Sequence, residues 1–346
     1  MKNEERSKDR GATGSRTAAT AVLMVATFMD LMDSTITNVA LPTIGKDLGA
    51  TPEQLEWTLA GYIIAFATLL ITGGRLGDVF GHRRIFVIGM VGFTAASLGA
   101  ALSQSGELLV AARVLQGGFA GIMMPQVLSS VQVMYAPEER APVLGLIGAL
   151  SSLGAVGGLV LGGWLVTIDL FGMGWRSVFL VNVPVGVVIV AAALALVPRS
   201  RSEHPLKPDP AGALLGGLGV FLVVFPLTDG RAVGWAWWIW AMLAAAPFAV
   251  GAFAWQQRRT LKAHGSPLLP LPLFRDRGFA SGQLVQVLSS IGNGSYVLVL
   301  LYYVQSALGF SALAAGLTLL PFALGSMVAT PLAILATKRM GKWAVL

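Results

Sequence analysis

The stretch GGRLGDVFGHRRIF, residues 73–86, is a short polar break between two long apolar runs, 57–74 and 83–104. A membrane-spanning helix needs about 20 consecutive, mainly apolar residues. Both runs have roughly that length. The stretch therefore predicts two spanning helices that are joined by a short turn at a membrane surface.

The break itself has the residue types of such a turn. Gly74 and Gly81 allow a tight backbone turn, and Asp78 can cap the start of the following helix. Arg83 and Arg84 are placed to reach lipid headgroups. A plain helix pair with arginines at the headgroups would explain Arg83 and Arg84, but not the full glycine–aspartate pattern.

The rest of the chain repeats this alternation of apolar runs and polar breaks. Hydrophobic residues make up 55 % of the 346 residues and charged residues 12 %, whereas a soluble domain carries about 25 % charged residues. The sequence therefore predicts an all-α, polytopic membrane protein. About ten runs are long enough to span a membrane: 18–40, 57–74, 83–104, 107–131, 142–167, 175–197, 211–229, 235–255, 279–303 and 312–336.

The positive charges indicate the orientation of these runs. Most of the 24 Lys and Arg residues lie before the first span, in the breaks after the second, fourth, sixth and eighth spans, and after the last span. Positive loops face the cytoplasm, so we predict a multi-pass protein of the inner or plasma membrane with a cytoplasmic N-terminus. The net charge of +7 is then a topology signal, and nucleic acid is not expected as a partner.

The charged, proline-rich break at 198–210 divides the chain after six spans. The first apolar run is too long for a cleaved signal and is interpreted as a retained span. The predicted parts are an irregular cytoplasmic tail 1–17, a six-helix bundle 18–197, a cytoplasmic linker 198–210, two central spans 211–255, a cytoplasmic loop 256–278 and a partial C-terminal bundle 279–346.

The first span contains two carboxylates, Asp30 and Asp33. A charge at the bilayer centre costs about 2.5–3.5 kcal/mol on insertion scales, so each carboxylate needs a water-filled cavity or a partner. Helical spacing puts both on one face with Thr37, and Asn38 lies at its edge. We predict that this face lines a substrate cavity. The alternative is that the carboxylates only form hydrogen bonds to neighbouring helices.

Arg113 is the only basic residue well inside an apolar run. Its guanidinium cannot lose its charge, and Asp33 is the natural partner. Protonation of Asp33 would neutralise it and release Arg113, which is our hypothesis for a proton-coupling step; a purely structural ion pair is the alternative. Further polar residues in apolar runs are predicted to line the cavity: Gln116, Gln126, Gln286 and Asn293.

The fifth span, GLIGALSSLGAVGGLVLGGWL at 145–165, has a regular glycine pattern. Gly154, Gly158 and Gly162 recur every four residues, so one helix face lacks side chains along three turns. Small residues let helices approach closely in membranes. The pattern by itself predicts a packing surface.

Several of these motifs resemble those of the major facilitator superfamily. The loop is similar to the family's signature between spans two and three, which implies a cytoplasmic gate formed by Gly74, Asp78, Gly81, Arg83 and Arg84. The fifth span resembles the antiporter motif of exporters, carried by Gly145, Gly154, Gly158, Gly162 and Gly163.

The first span, LMDSTITNVALP around Asp33, resembles the drug:proton antiporter branch with fourteen spans. The fourth and sixth spans match that branch at Arg113, Gln116, Gly117, Trp175, Arg176, Asn182 and Pro184. Four motifs in the same order cover about residues 20–190. The resemblance implies a major facilitator fold, in which substrates bind near the midplane between two six-span halves.

Some residues depart from the family pattern. Val79 stands in place of an arginine, Leu159 in place of a proline, and Lys338 in place of the acid in the second copy of the loop. The family pattern would continue for about four further spans, so the resemblance implies a C-terminally truncated member. In such a member the glycine face of the fifth span would lack much of its opposing surface.

The resemblance implies a proton-coupled secondary antiporter that exports drugs or other lipophilic or cationic small molecules. It would use the proton gradient and no cofactor, with protons, cargo and the lipid bilayer as partners; the oligomeric state has no sequence signal. A nutrient or metabolite transporter of the same fold, and a truncated membrane protein that does not transport, are the alternatives. No nucleophile–base pair, phosphate loop, cysteine or metal cluster suggests an enzyme.

Overall fold

The computed structural model describes residues 2–168, 172–200, 209–264, 267–310 and 312–319, with 321, 322, 324, 325, 329 and 332. Within these residues the ordered structure is helical and contains no strand, which confirms the all-α prediction. The helices are α1 (Lys2–Leu48), α2 (Pro52–Phe80), α3 (His82–Ala101), α4 (Gly106–Met134), α5 (Pro137–Ile168), α6 (Arg176–Leu180), α7 (Asn182–Leu196), α8 (Pro210–Asp229), α9 (Trp237–His264), α10 (Arg277–Ser306) and α11 (Ala312–Thr318), with a short 3-10 helix at Leu271–Arg275.

Seven helices in the described part of the chain are long and apolar enough to cross a membrane. They are Arg16–Leu48, Pro52–Phe80, His82–Ala101, Gly106–Met134, Arg176–Leu196, Pro210–Asp229 and Trp237–Ala263. The prediction of a polytopic membrane protein is confirmed. α5 and α10 cover the predicted spans 142–167 and 279–303 but are not among the seven, and most of the predicted span 312–336 lies outside the described residues.

The first helix differs most from its prediction. α1 begins at Lys2, so the prediction of an irregular tail over 1–17 is wrong. Lys, Glu and Arg are good helix formers, and they continue the helix of the first span in the N-terminal direction. The predicted span 175–197 is divided at Val181 into α6 and α7.

The chain forms two compact units, Met1–Pro205 with Leu320–Leu346, and Leu206–Leu319. In the first unit α2 and α3 pack on α4, and α1 packs on α5 and α7. In the second unit α8 pairs with α9, and α10 contacts the 3-10 helix and α11. The division falls within the predicted linker 198–210, while the finer assignment of central spans and partial bundle stays a prediction.

The glycine face of α5 packs directly on α1. A Cβ atom on Gly158 would lie 1.9 Å from Thr35 Oγ1 and 2.6 Å from the carbonyl oxygen of Met32. Gly154 and Gly162 meet α1 in the same way, one turn to either side. The predicted packing surface is confirmed. The expectation that it lacks much of its opposing surface is wrong, because α1 covers all three of these glycines. The other motif glycines, Gly145 and Gly163, are half-buried.

Two apolar clusters in the first unit position the site. One includes Met29, Phe86, Met90, Phe93 and Met123. The other includes Ile36, Leu109, Trp175, Val178 and Phe179. Between these clusters, α1, α4 and the start of α7 each contribute buried polar side chains: Asp33, Arg113, Gln116 and Asn182. A polar layer is therefore enclosed between two apolar layers.

Candidate functional site

Asp33 and Arg113 form an ion pair in this polar layer, as the sequence predicted. Arg113 Nη1 lies 2.5 Å from Asp33 Oδ2, and neither side chain is more than 1 % exposed. Removing a charge from water to such a place costs on the order of several kcal/mol. Each charge therefore depends on the other to remain buried.

Two amide side chains complete the surroundings of the pair. Gln116 Nε2 and Asn182 Nδ2 donate hydrogen bonds to Asp33 Oδ1 at 2.9 and 2.6 Å. Gln116 Oε1 accepts from Arg113 Nη1 at 2.7 Å, and Arg113 Nε donates to the carbonyl oxygen of Thr58 at 3.1 Å. The polar layer thus joins α1, α2, α4 and α7 around a single carboxylate.

Asn182 is absent from the predicted site, although an amide at the start of a long apolar run was a usable signal. Its side chain is fully buried, and its Nδ2 atom also donates to Ser97 Oγ at 3.0 Å. Asn182 Oδ1 has no hydrogen-bond partner among the described residues. An amide oxygen can accept a hydrogen bond from a protonated carboxyl. Asn182 therefore donates to the ionised form of Asp33, and after rotation of its side-chain amide by half a turn it would accept from the protonated form.

Tyr62 links the ion pair to the second carboxylate of α1. The centroid of its ring lies 4.3 Å from Arg113 Cζ, and its hydroxyl donates a hydrogen bond to Asp30 Oδ1. A cation over an aromatic face gains about 0.5–2 kcal/mol. One buried side chain therefore contacts both the cation of the pair and Asp30, a connection that the sequence pattern did not indicate.

Asp30 lines a cavity of about 560 Å³ within the first unit. Asp30 is the only charged residue among the described residues that line this cavity. The walls are mostly apolar and include Phe66, Leu70, Met124, Leu128 and Ile147. Small-molecule sites have volumes of about 300–1,000 Å³ and mainly apolar walls with a few polar groups. The cavity has the size and chemistry to hold a lipophilic cation.

Of the residues predicted for a common cavity wall, only Asp30 lines this cavity. Thr37 is buried, and its hydroxyl donates to the carbonyl oxygen of Asp33 at 2.8 Å. Asn38 is exposed and donates to the carbonyl oxygen of Ser34. The prediction that these residues form one cavity wall is therefore wrong. Several helices surround α1, so residues on one face of α1 contact different helices. Gln286 and Asn293 are exposed on α10, in the second unit.

The loop between α2 and α3 turns at Gly81, whose φ of +96° lies in the left-handed region that favours glycine. Gly74 lies inside α2, so the prediction that it forms part of the turn is wrong. Asp78 lies in the last turn of α2, and α3 begins without a side-chain cap, which corrects the predicted capping role. Near its end α2 packs closely on α4, where Gly73 lies against Gly121 and Gly77 against Gln126, and the helix continues to Phe80.

The loop is tied to α4 by His82 and Gln126, both of which are buried. His82 Nδ1 lies 3.0 Å from Gln126 Oε1, and Gln126 Nε2 donates to the carbonyl oxygen of Gly73 at 2.6 Å. Asp78 Oδ1 lies 3.8 Å from His82 Nε2. Gln126 therefore belongs to the loop contacts and not to the predicted cavity wall, because it faces the α2–α3 turn.

The arginines after the turn have different surroundings. Arg83 Nη1 donates to the carbonyl oxygens of Leu194 and Val197 at 3.0 and 3.3 Å, which joins the start of α3 to the end of α7. Arg84 is exposed. These contacts place the predicted gate residues at one end of the first unit.

A buried ion pair thus lies within a bundle of helices long and apolar enough to span a membrane, and the neighbouring Asp30 lines an apolar cavity. The profile of the Major Facilitator Superfamily matches residues 23–346. The chain belongs to the major facilitator superfamily. The resemblance inferred from the motifs is thereby confirmed at the level of the superfamily.

Of two similar proteins, one is named a transporter and the other a resistance and export protein. The chain is 42 % identical to the probable actinorhodin transporter of Streptomyces coelicolor, over 93 % of this chain and 56 % of that protein. It is 33 % identical to the tetracenomycin C resistance and export protein of Streptomyces glaucescens, over 93 % of this chain and 58 % of that protein. The chain thus spans a little over half the length of these relatives.

A solved structure of the superfamily shares the fold. The proton:xylose symporter XylE bound to 6-bromo-6-deoxy-D-glucose matches with a TM-score of 0.59 and 15 % identity, over 95 % of this chain and 70 % of that one. At this identity the likeness shows the fold alone. It confirms the predicted major facilitator fold.

Proposed function

We propose that this protein is a proton-coupled antiporter that exports lipophilic, often cationic, small molecules. The observation that carries the proposal is the position of two carboxylates on α1: Asp33 is sealed against Arg113, and Asp30 faces an apolar cavity. The name of the Streptomyces glaucescens relative, a resistance and export protein, supports the direction of transport, and both relatives are named for a single compound, actinorhodin or tetracenomycin C.

Asp33 and Arg113 are the proposed coupling pair. A proton on Asp33 removes its charge. Among the described residues, Arg113 then keeps the oxygen atoms of Gln116 and Thr58 and the rings of Tyr62 and Phe179, none of which carries a negative charge. Breaking a buried ion pair on one side costs about 3–5 kcal/mol. That cost is large enough to change which conformation of the bundle is favoured, since a tenfold population change needs about 1.4 kcal/mol.

Asp30 is the proposed contact for cationic cargo. A cation in the cavity gains a carboxylate partner and apolar walls at once, whereas a neutral lipophilic molecule gains only the walls. The hydroxyl of Tyr62 holds Asp30 while the Tyr62 ring rests on Arg113. Binding of a cation at Asp30 adds positive charge beside the polar layer, which favours loss of the proton from Asp33.

The loop between α2 and α3 is the proposed cytoplasmic gate. Its turn at Gly81 lies at one end of the first unit, and its contacts through His82 and Gln126 tie it to α4. Gly74, another residue of the predicted gate, lines the Asp30 cavity. In the proposed orientation this end faces the cytoplasm. The orientation is supported by the arginines at this end, Arg83, Arg84 and Arg199, since positive charges favour the cytoplasmic side.

The test is transport of the fluorescent cation ethidium into inverted membrane vesicles that contain the protein. We expect ethidium to enter the vesicle lumen when the lumen is acidified. Its uptake should stop when the pH gradient is collapsed. Ethidium movement in the opposite direction would favour an importer of the same fold. Absence of gradient-dependent movement, with the protein correctly inserted, would contradict the proposal and favour a membrane protein that does not transport.

A further inference from the structure

A second cavity of about 680 Å³ lies at the gate end of the first unit, separate from the residues that line the Asp30 cavity. It is bounded by the end of α2, the start of α3 and the end of α7 with the segment that follows. Three arginines line it, Arg83, Arg84 and Arg199, together with Val87, Ile88 and Leu194. None of the described residues that line it is acidic.

Among the described residues, no acidic side chain balances the positive charge of this cavity. Arg83 donates to two backbone carbonyl oxygens, which position it without neutralising it. Arg84 and Arg199 are exposed, and neither forms a hydrogen bond or an ion pair with any residue in the described part of the chain. Several positive charges around one concave surface attract an anion and favour phosphate oxygens as acceptors.

The same cavity has an apolar wall directly beside the arginines. Ile88 lies one helical turn after Arg84 on α3, and Ile88 and Leu194 are 47 % and 52 % exposed. The wall belongs to helices that cross the membrane. A free phosphate ion would satisfy the arginines but leave this wall uncovered. A ligand with a phosphate at one end and hydrocarbon at the other fits both parts.

We propose that this cavity binds one anionic phospholipid. Its phosphate contacts Arg84 and Arg199 beside Arg83, and an acyl chain covers Ile88 and Leu194. Basic pockets between spanning helices at the cytoplasmic side are typical sites for acidic headgroups. The proposal uses the orientation given above, but it does not depend on transport.

The site would connect the bilayer to the proposed gate. The cavity includes Gly81 and Ser200, and the backbone N–H of His82 donates to the carbonyl oxygen of Ser200 at 3.2 Å. A lipid held here bridges the start of α3 and the segment after α7. Binding should therefore favour the conformation in which these two elements are in contact.

The experiment measures lipid binding to the purified full chain in a zwitterionic detergent by native mass spectrometry. The probes are phosphatidylglycerol, phosphatidylcholine with matched acyl chains, and glycerol phosphate. We expect one molecule of phosphatidylglycerol to bind at a saturable site, and we expect the other two probes to bind more weakly. The double variant Arg84→Gln/Arg199→Gln should bind phosphatidylglycerol roughly thirtyfold more weakly, since a basic residue near a membrane surface contributes about fivefold.

Three controls distinguish the site from general charge effects. Arg258→Gln removes an exposed arginine outside the cavity and should leave binding unchanged. Arg84→Lys/Arg199→Lys keeps the charge and should retain most of the affinity, which guards against a folding defect in the glutamine variant. Ile88→Ser should weaken phosphatidylglycerol binding and leave glycerol phosphate unaffected.

Three results would overturn the proposal. Equal affinity for phosphatidylglycerol and phosphatidylcholine would exclude recognition of the anionic headgroup. Glycerol phosphate binding as tightly as the lipid would indicate a site for a free phosphate. An equal loss in Arg258→Gln would show that net charge, and not this cavity, attracts the lipid.

Discussion

Asp30 and Asp33 lie one turn apart on the same helix, yet the structure gives them opposite surroundings. Asp33 is sealed by a guanidinium and two amides that come from α4 and α7. Asp30 has the hydroxyl of Tyr62 on one side and an apolar cavity on the other. Two identical side chains can therefore have different roles, because residues on neighbouring helices determine the surroundings of each carboxylate.

The difference explains why we assign the proton to Asp33 and the cargo to Asp30. Protonation of Asp33 leaves a buried cation without its partner, so the protonation state is linked to the energy of the whole polar layer. Protonation of Asp30 breaks no ion pair in the described structure. Asp30 instead lies where a molecule of cargo size can reach it.

The largest effect is expected from Asp33→Asn, which removes the titrating group but keeps the shape of the side chain. Ethidium movement driven by a pH gradient should fall to the level of vesicles without the protein, while membrane insertion is unchanged. Glu56→Gln, at an exposed carboxylate on α2, is the control and should transport normally. Gradient-driven transport that persists in Asp33→Asn would refute the assignment of Asp33.

Arg113→Ala should destabilise the protein by about 3–5 kcal/mol, because it leaves Asp33 buried without its cation. Arg113→Lys should cost less since it keeps a positive charge. Adding Asp33→Asn to Arg113→Ala should recover much of the loss, as measured by thermal unfolding in detergent. If the double variant loses as much as the sum of the single variants, the two residues are not coupled.

Asp30→Asn should discriminate between classes of cargo. We expect the affinity for ethidium to fall by about tenfold or more, because the cation loses the one carboxylate among the described residues that line the cavity. A neutral lipophilic dye should bind with nearly unchanged affinity. Fluorescence titration of both dyes is the measurement, and an equal loss for the two would exclude a charge-specific role for Asp30.

The smallest effect is expected at Tyr62, where two variants separate two contacts. Tyr62→Phe keeps the ring on Arg113 but removes the hydroxyl that donates a hydrogen bond to Asp30. Ethidium affinity should then fall by about fivefold, which corresponds to the loss of one hydrogen bond. Tyr62→Leu also removes the ring and should lower the unfolding temperature as well. Unchanged ethidium affinity in Tyr62→Phe would indicate that the hydroxyl has no part in the link, and identical behaviour of the two variants would indicate that the ring has none.

The sequence predicted the Asp33–Arg113 pair because a buried guanidinium must have an anion, and few anions lie inside apolar runs. It did not predict Asn182 or Tyr62 as members of the site. Their contribution depends on how α7 and α2 pack around α1, and helical periodicity within one segment carries no information about that packing. Gln126 was assigned to the cavity for the same reason, since its spacing does not reveal that it faces the α2–α3 turn.

In the loop between α2 and α3, the sequence again predicted the local backbone geometry but not the contacts between helices. Gly81 was predicted at the turn because a left-handed residue favours glycine. The capping role expected of Asp78 failed because α2 continues to Phe80, so Asp78 ends inside the preceding helix. The glycine face of α5 was predicted as a packing surface, and only the structure identifies α1 as the helix that it contacts.

The central claim, that Asp33 carries the proton and Asp30 the cargo, is tested most directly by proton release on cargo binding. Ethidium binding to the purified protein is measured by calorimetry in two buffers with different ionisation enthalpies. We predict that the wild-type protein releases protons, that Asp33→Asn binds ethidium without release, and that Asp30→Asn binds more weakly but still releases protons. Release that persists in Asp33→Asn and disappears in Asp30→Asn would contradict the account.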